Sequence, residues 1–400
     1  MHSKDIDQDV INRTIWEACD TFRGTVDASI YKNYVLTMLF LKYISDVWID
    51  HHANNLGPIA HLQIFALPDA ANFYTLYEQR QHSGNGARLD RALKLIEQHN
   101  RDTLQGVFEG ISFNITGLKD PHKQDSLLRH LLEDFAKPAL DLRPSQVGIV
   151  DVIGNAYEFL IKNFASDSGK KAGEFYTPAE ISHLIARLVA PQTGETIYDP
   201  ACGSGSLLMK CSRLIRQNAN AEDYQLFGQE SMPSTWALAK KNMFLHGEIN
   251  HRIEQGDTLR SPKFLHPDGS LMQFDAVVAN PPFSLDKWGE EEARTDRWQR
   301  FARGVPPKNI GDYAFILHMV ESMKPDTGRM AVVVASGVLF RGGVEGKIRA
   351  KLVTENLIDA VISLPGKVFF GTDLAASILL LKRQRSTQDV LFIDDLQDYR

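Results

Sequence analysis

The chain has 400 residues, enough for two or three domains around a large buried core, with 43% apolar and 24% charged residues and a formal charge of −6. This even composition, without a low-complexity tract or internal repeat, excludes a disordered or fibrous chain and describes a soluble globular protein. A mildly acidic protein that works on nucleic acid needs a local basic surface or one supplied by another chain.

The first ten residues, MHSKDIDQDV, are charged and lack an apolar core, so no signal peptide is expected. The apolar run Val35 to Leu41 is interrupted by Lys42 and Asp46, well short of a membrane span. Cys19, Cys202 and Cys211 lack the spacing of paired ligands, and His51 and His52 are adjacent, so no metal site is expected. Together these features predict a cytoplasmic protein with no membrane contact.

Residues 1–165 read as an all-helical N-terminal domain. Ile11, Ile15, Trp16 and Ala18 recur at helical spacing, as do Tyr31, Val35, Met38, Leu39 and Tyr43. Arg88 to His99, Gln124 to Ala136 and Val147 to Phe164 read as further helices, separated by breakers at Ser83 to Gly86 and Pro138 to Pro144. Residues 166–178 form a linker that runs into GEFYTP, Gly173 to Pro178, where Pro178 and Glu180 open a helix reaching Ala190.

Residues 179–400 read as a catalytic domain in which, from Gly194, strand and helix alternate. Strands are expected at Thr196 to Asp199, Gln225 to Glu230, Arg252 to Gln255, Phe274 to Ala279, Met330 to Ala335, Ile358 to Leu364 and Ser377 to Lys382, with Asp389 to Leu396 as an added edge. Helices are expected near Ser206 to Gln217, Thr235 to His246, Tyr313 to Met323 and Gly346 to Glu355. This alternation predicts a doubly wound, Rossmann-like α/β sheet.

Phe274 to Phe283, FDAVVANPPF, joins a buried strand to Asn280, Pro281, Pro282 and Phe283. Two prolines stop the strand and stiffen a rim at its carboxyl end, where open α/β sheets place ligands. A neutral amide, a free carbonyl and an aromatic face suit a flat ring bearing an NH2 group. Earlier in the chain, DPACGSGSLL puts Asp199 at a strand end and follows it with Ala201, Gly203 and Gly205 in a tight turn. The third glycine of a dinucleotide fingerprint is missing, because Leu208 stands there. Glu230 and Asp257 close the next two strands. Each acid taken alone reads more often as a helix cap or a solvated group; together they fit a ligand with a sugar and amino groups, such as S-adenosylmethionine.

These segments, with LFLKYISDVW, LFGQE, GDT, GRMAVVVASGVLFRGG and LPGKVFFGTDLAASILLLKR, resemble the modification subunit of Type I restriction-modification systems, an N6-adenine DNA methyltransferase. The resemblance runs through most of the chain. It implies a class I S-adenosylmethionine-dependent fold with a mostly parallel seven-stranded sheet. It also implies that Phe175, Tyr176, Thr177 and Pro178 line the methionine end of S-adenosylmethionine together with Asp199, Ala201, Gly203 and Gly205. Glu230 would take the ribose hydroxyls, Asp257 the cofactor's adenine, and Asn280, Pro281, Pro282 and Phe283 the target base. Adenine N6 is a weak nucleophile, and accepting its two N–H groups on the Asn280 side chain and the Pro281 carbonyl would strengthen it. Direct transfer needs no cysteine nucleophile and no dedicated general base.

The expected partners are double-stranded DNA, a specificity subunit that reads the site, and a restriction subunit in the full complex, with two modification subunits per specificity subunit. The chain has no room for its own target-recognition domain. Its one long insertion near the pocket, Trp288 to Val305, reads either as an element ordered over DNA or as a solvated loop. Family members usually carry a further helical C-terminal extension, and this chain departs from them by stopping at Arg400. Rival readings are methyl transfer to RNA guanine N2, cytosine N4 or protein glutamine, and a non-catalytic DNA-binding scaffold.

Overall fold

The computed structural model describes residues 8–54, 65–115, 118, 120–147, 151–167, 177–219, 223–369 and 375–394. It divides into two compact units, Met1–Ser168 with Lys240–Ile249, and Gly169–Ala239 with Asn250–Arg400.

The first unit is helical, with no strand among its described residues. It contains α1 (Gln8–Ala18), α2 (Ala28–Asn54), α3 (Phe73–Glu78), α4 (Asn85–His99), α5 (Arg101–Leu104), α6 (Pro121–Phe135), α7 (Pro144–Val147) and α8 (Asp151–Asp167). The run Val35 to Val47 is buried on every face of α2, which makes it the central core helix. Lys42 and Asp46, which interrupt its apolar run, form a buried ion pair, and Asp46 also accepts the Leu142 N–H at 2.8 Å. The start of α4 at Asn85 falls inside the run read as a breaker. The reason is tertiary, because Asp125 of α6 accepts the N–H groups of Gly84 and Asn85 at 2.9 and 2.8 Å.

The second unit is built on β1 (Thr196–Asp199), β2 (Gln225–Glu230), β3 (His251–Gln255), β4 (Ala276–Ala279), β5 (Arg329–Ala335), β6 (Ile358–Ser363), β7 (Ala376–Lys382) and β8 (Leu391–Ile393). Its helices are α9 (Ala179–Val189), α10 (Ser206–Ala219), α11 (Pro233–Leu245), α12 (Glu290–Ala293), α13 (Asp312–Glu321) and α14 (Gly343–Thr354), with the end of α11 counted in the first unit. The sheet order is β3-β2-β1-β4-β5-β7-β6-β8, and β7 alone runs antiparallel to its neighbours. The sheet therefore has eight strands, because the short edge strand β8 pairs parallel with β6 beyond the expected seven.

The central strand β4 is wholly apolar, and β5 is so after Arg329, because both faces are covered. Val277, Ala279, Met330, Val332 and Val334 face a core shared with α13. The helices α9 and α10 pack on one another; α9 also touches β4 and β5, and α10 touches β1 and β4. The strand expected from Phe274 starts only at Ala276. Asp275, just before it, still bonds its backbone to Thr196 and Arg329, and its carboxylate accepts the Thr196 N–H at 2.9 Å, the Thr196 hydroxyl at 2.8 Å and Lys324 Nζ at 2.7 Å.

Candidate active site

The chain order reverses between β1 and β4, so the carboxyl ends of these two neighbouring strands form the switch-point crevice of the sheet. Asp199 closes β1 and is buried, with Oδ1 accepting the Ala201 N–H at 2.9 Å. Burial, with a smaller contribution from the charge of Glu230, pushes its carboxyl up to about 8 against the pull of the Ala201 hydrogen bond. Gly203 and Gly205 turn at φ 55° and 79°, a region that favours glycine.

Glu230 closes β2. Its Oε2 accepts the Gly203 N–H at 3.0 Å and its Oε1 accepts the Met232 N–H at 2.8 Å, so one carboxylate ties the glycine turn to the second strand end. Burial raises its carboxyl despite these bonds. Asp257 follows β3, is more open, and is already engaged. Its Oδ1 accepts the N–H groups of Leu259 and Arg260 at 2.9 and 3.1 Å, and its Oδ2 pairs with Arg260 at 2.9 Å. The Thr258 hydroxyl donates to the Pro200 carbonyl at 2.7 Å and joins the first and third strand ends.

Asn280 closes β4. Its Nδ2 donates to Thr177 Oγ1 at 3.0 Å, while its Oδ1 is buried without a hydrogen-bond partner. Pro281 is buried, and the Phe283 ring meets Phe369 edge-to-face at 5.7 Å. The next residue, Ser284, turns at φ 51°, and its N–H donates to Asp312 Oδ1 at 2.9 Å. Asp312, the buried first residue of α13, is paired with Arg341, which also holds Glu345. A cavity of about 310 Å³ runs between these strand ends, bounded by Ala201, Glu230, Asp257, Asn280 and Pro282. A larger cavity of about 570 Å³ lies between α14 and strands β6 to β8; among the described residues no carboxylate lines it.

The family model described as N-6 DNA Methylase matches residues 149–400, and that described as HsdM N-terminal domain matches residues 11–135. The Type I restriction enzyme MpnII methylase subunit of Mycoplasma pneumoniae is 31% identical over 96% of this chain and 78% of its own. The MjaVIII methylase subunit of Methanocaldococcus jannaschii is 32% identical over 98% of this chain and 69% of its own. The solved methyltransferase subunit of the Type I restriction-modification system from Streptococcus thermophilus superposes with a TM-score of 0.85 at 32% identity, covering 97% of this chain and 87% of that one. The chain belongs to the N-6 DNA methylases, among the methylase subunits of Type I restriction enzymes.

It is accordingly an adenine-specific DNA methyltransferase, the modification subunit of a Type I system, with the fold of S-adenosylmethionine-dependent methyltransferases. Of the residues singled out in the sequence, the fold gathers Ala201, Glu230, Asp257, Asn280 and Pro282 around one cavity. Asp199, Gly203 and Gly205 shape the turn that bounds it. Thr177 reaches Asn280, and Pro178 caps α9. Phe175 and Tyr176 lie outside the described residues.

Several residues at the site gave no readable signal of their own. Met232, two positions beyond the strand-end acid, adds an apolar wall to the cavity, as do Leu285 and Phe315. Phe369 belongs to a segment quoted for the resemblance, yet nothing in a chain order separates an aromatic at a pocket from one in a core.

Within the insertion Trp288 to Val305, the reading as a solvated loop fails. Trp288 and Phe301 are buried, and the Trp288 indole donates to the Pro307 carbonyl at 2.9 Å. Arg300 is 2% exposed. It pairs with Asp296 at 2.7 Å and donates to the carbonyls of Thr258 and Leu259 at 3.1 and 2.8 Å. Its other neighbour is His318 Nδ1 at 3.2 Å, whose Nε2 meets the Tyr198 hydroxyl at 3.0 Å. Burial first, and the Arg300 charge second, hold His318 far below the ordinary histidine range, so it is neutral.

Proposed function

We propose that the crevice binds S-adenosylmethionine along the ends of β1, β2 and β3 and a flipped adenine against Asn280, Pro281, Pro282 and Phe283. The carrying observation is the buried, unpartnered Oδ1 of Asn280 at the edge of the acid-lined cavity. Buried acceptors without partners are rare in native proteins, and an exocyclic amine satisfies this one. The donor set fits the cofactor, since carboxylates stand where a diol and an ammonium need acceptors and a glycine turn lets the ligand approach closely.

In this reading Asp199, with Thr177, Pro178, Ala201, Gly203 and Gly205, holds the methionine end; Glu230 receives the ribose hydroxyls. Asp257 keeps its backbone bonds and offers remaining lone pairs to the cofactor's adenine, beside Met232. Bound there, S-adenosylmethionine supplies a methyl on a sulfonium, which N6 takes by in-line displacement while the S–C electron pair stays on sulfur. Asn280 Oδ1 and the Pro281 carbonyl accept the two N6–H bonds and favour a pyramidal, nucleophilic nitrogen. The N6 proton then passes to solvent. Holding the amine on a rigid proline rim supplies the positioning on which direct transfer depends.

Extruding the base costs about a few kcal/mol. Stacking on Phe283 returns roughly 1–3 kcal/mol, and each neutral hydrogen bond about 1 kcal/mol. Phe283 therefore serves extrusion and Asn280 serves chemistry. Site choice falls to a specificity subunit, in a cytoplasmic complex of two modification subunits with one specificity subunit that a restriction subunit completes. The test is Asn280→Ala in the complex with its specificity subunit, assayed over duplex DNA, RNA and protein acceptors. Methyl transfer to adenine N6 is expected to be lost while S-adenosylmethionine binding persists; near-native turnover would remove the assigned role.

A further inference from the structure

An asparagine amide has two unlike ends, and a half-turn about its last torsion exchanges acceptor for donor with little change in shape. For Asn280 the difference decides the chemistry. With Oδ1 towards the adenine amine, the pair is acceptor to donor; with Nδ2 there, two donors face each other and N6 loses its acceptor. The side chain in contact with this amide is Thr177, whose Oγ1 receives Nδ2 at 3.0 Å in the arrangement that leaves Oδ1 buried and without a partner.

We propose that Thr177 is the positioning residue that fixes the Asn280 amide with its oxygen towards the target amine. The inference rests on the reading of Asn280 as the acceptor of N6–H. Its second support is the rigidity of the place Thr177 occupies. The residue precedes Pro178, which restricts its backbone, and Pro178 caps α9 with its carbonyl accepting the Ser182 N–H at 3.0 Å. Being β-branched, Thr177 also has a limited choice of χ1 rotamer. A hydroxyl held by a helix start thus orients an amide held by a proline rim. Because Thr177 belongs to the GEFYTP segment, the segment expected to line the cofactor also sets the amide.

A residue that only touches the cofactor and one that orients Asn280 leave different kinetic marks. The experiment compares Thr177→Val, Thr177→Ala and Thr177→Ser with the native chain, each in complex with its specificity subunit and site DNA. The readouts are the Kd for S-adenosylmethionine, single-turnover methyl transfer, and fluorescence of 2-aminopurine at the target position as a report of base extrusion. Thr177→Val is expected to lower the transfer rate about tenfold or more, the scale of one lost hydrogen bond in the reacting geometry, with extrusion within about threefold of native and any rise in cofactor Kd smaller than the loss of rate. Thr177→Ser restores the rate to within about threefold. If the Val variant folds poorly, the Ser and Ala variants differ by a single oxygen and decide the matter, Ser being active and Ala slow. Native transfer by Val or Ala, or a loss lying wholly in the cofactor Kd, overturns the proposal. Failure of the native complex to methylate adenine N6 would instead sink the reading on which it rests.

Discussion

Asp199 is a residue whose chemistry is strongly displaced by its surroundings. Its free carboxyl is pushed up to about 8 by burial, so at neutral pH it carries a proton that a cationic ligand must expel. Because this folded value lies above the ordinary carboxylate value, the folded chain binds the extra proton between about pH 4 and 8, and stability without ligand falls as pH rises through that window. Ligand binding has the opposite dependence. Between pH 6 and 7, where an α-ammonium stays charged, affinity for S-adenosylmethionine should rise about tenfold, and Asp199→Asn should flatten the profile. Calorimetric titration across that range checks this; a flat native profile would show that no carboxylate at this site meets the ammonium. Phe283 gives a second residue-scale expectation. Phe283→Ala should weaken base extrusion, read by 2-aminopurine fluorescence, by about 1–3 kcal/mol without altering cofactor Kd.

At the scale of elements, the carboxyl ends of the strands are held from behind by buried charges. Arg300 ties the insertion to the loop after β3 through the carbonyls of Thr258 and Leu259, and Thr258 reaches on to Pro200 beside the glycine turn. Removing Arg300 leaves Asp296 buried without its countercharge, so Arg300→Leu should cost about 3–5 kcal/mol in urea unfolding. A loss below about 1 kcal/mol would show that the insertion does not brace the pocket. Asp312 has the parallel role behind the proline rim, since its carboxylate bonds the backbone just after Phe283 and pairs with Arg341. The segment GVLFRGG was legible as a resemblance, but the task of its arginine was not. A sequence gives the order of residues, whereas this ion pair joins positions 29 apart.

The whole molecule carries a formal charge of −6, a poor general match to a polyanion. The subunit alone should therefore bind duplex DNA weakly, in the roughly 10⁻⁴ to 10⁻⁶ M range of non-specific contacts or weaker, and gain both affinity and site choice with its specificity subunit. Fluorescence anisotropy at two salt concentrations, with and without that subunit, checks the point. Tight, site-selective binding by the isolated chain would contradict it.

The sequence by itself determined the fold class, the alternation of strand and helix, and the strand ends at Asp199, Glu230, Asp257 and Asn280, because apolar periodicity and proline or glycine stops are local signals. Motif resemblance then pointed to the family that the comparisons established. Local signals left other matters open: the added pairing of β8, the late start of β4 at Ala276, the buried anchors Trp288 and Arg300, and the contact of Phe369 with Phe283. Each depends on groups distant in sequence competing for the same space or the same hydrogen-bond acceptor, which only the tertiary structure decides. The bond from Asn280 to Thr177 belongs with them: 103 residues separate the two, and chain order names both without showing that one orients the other.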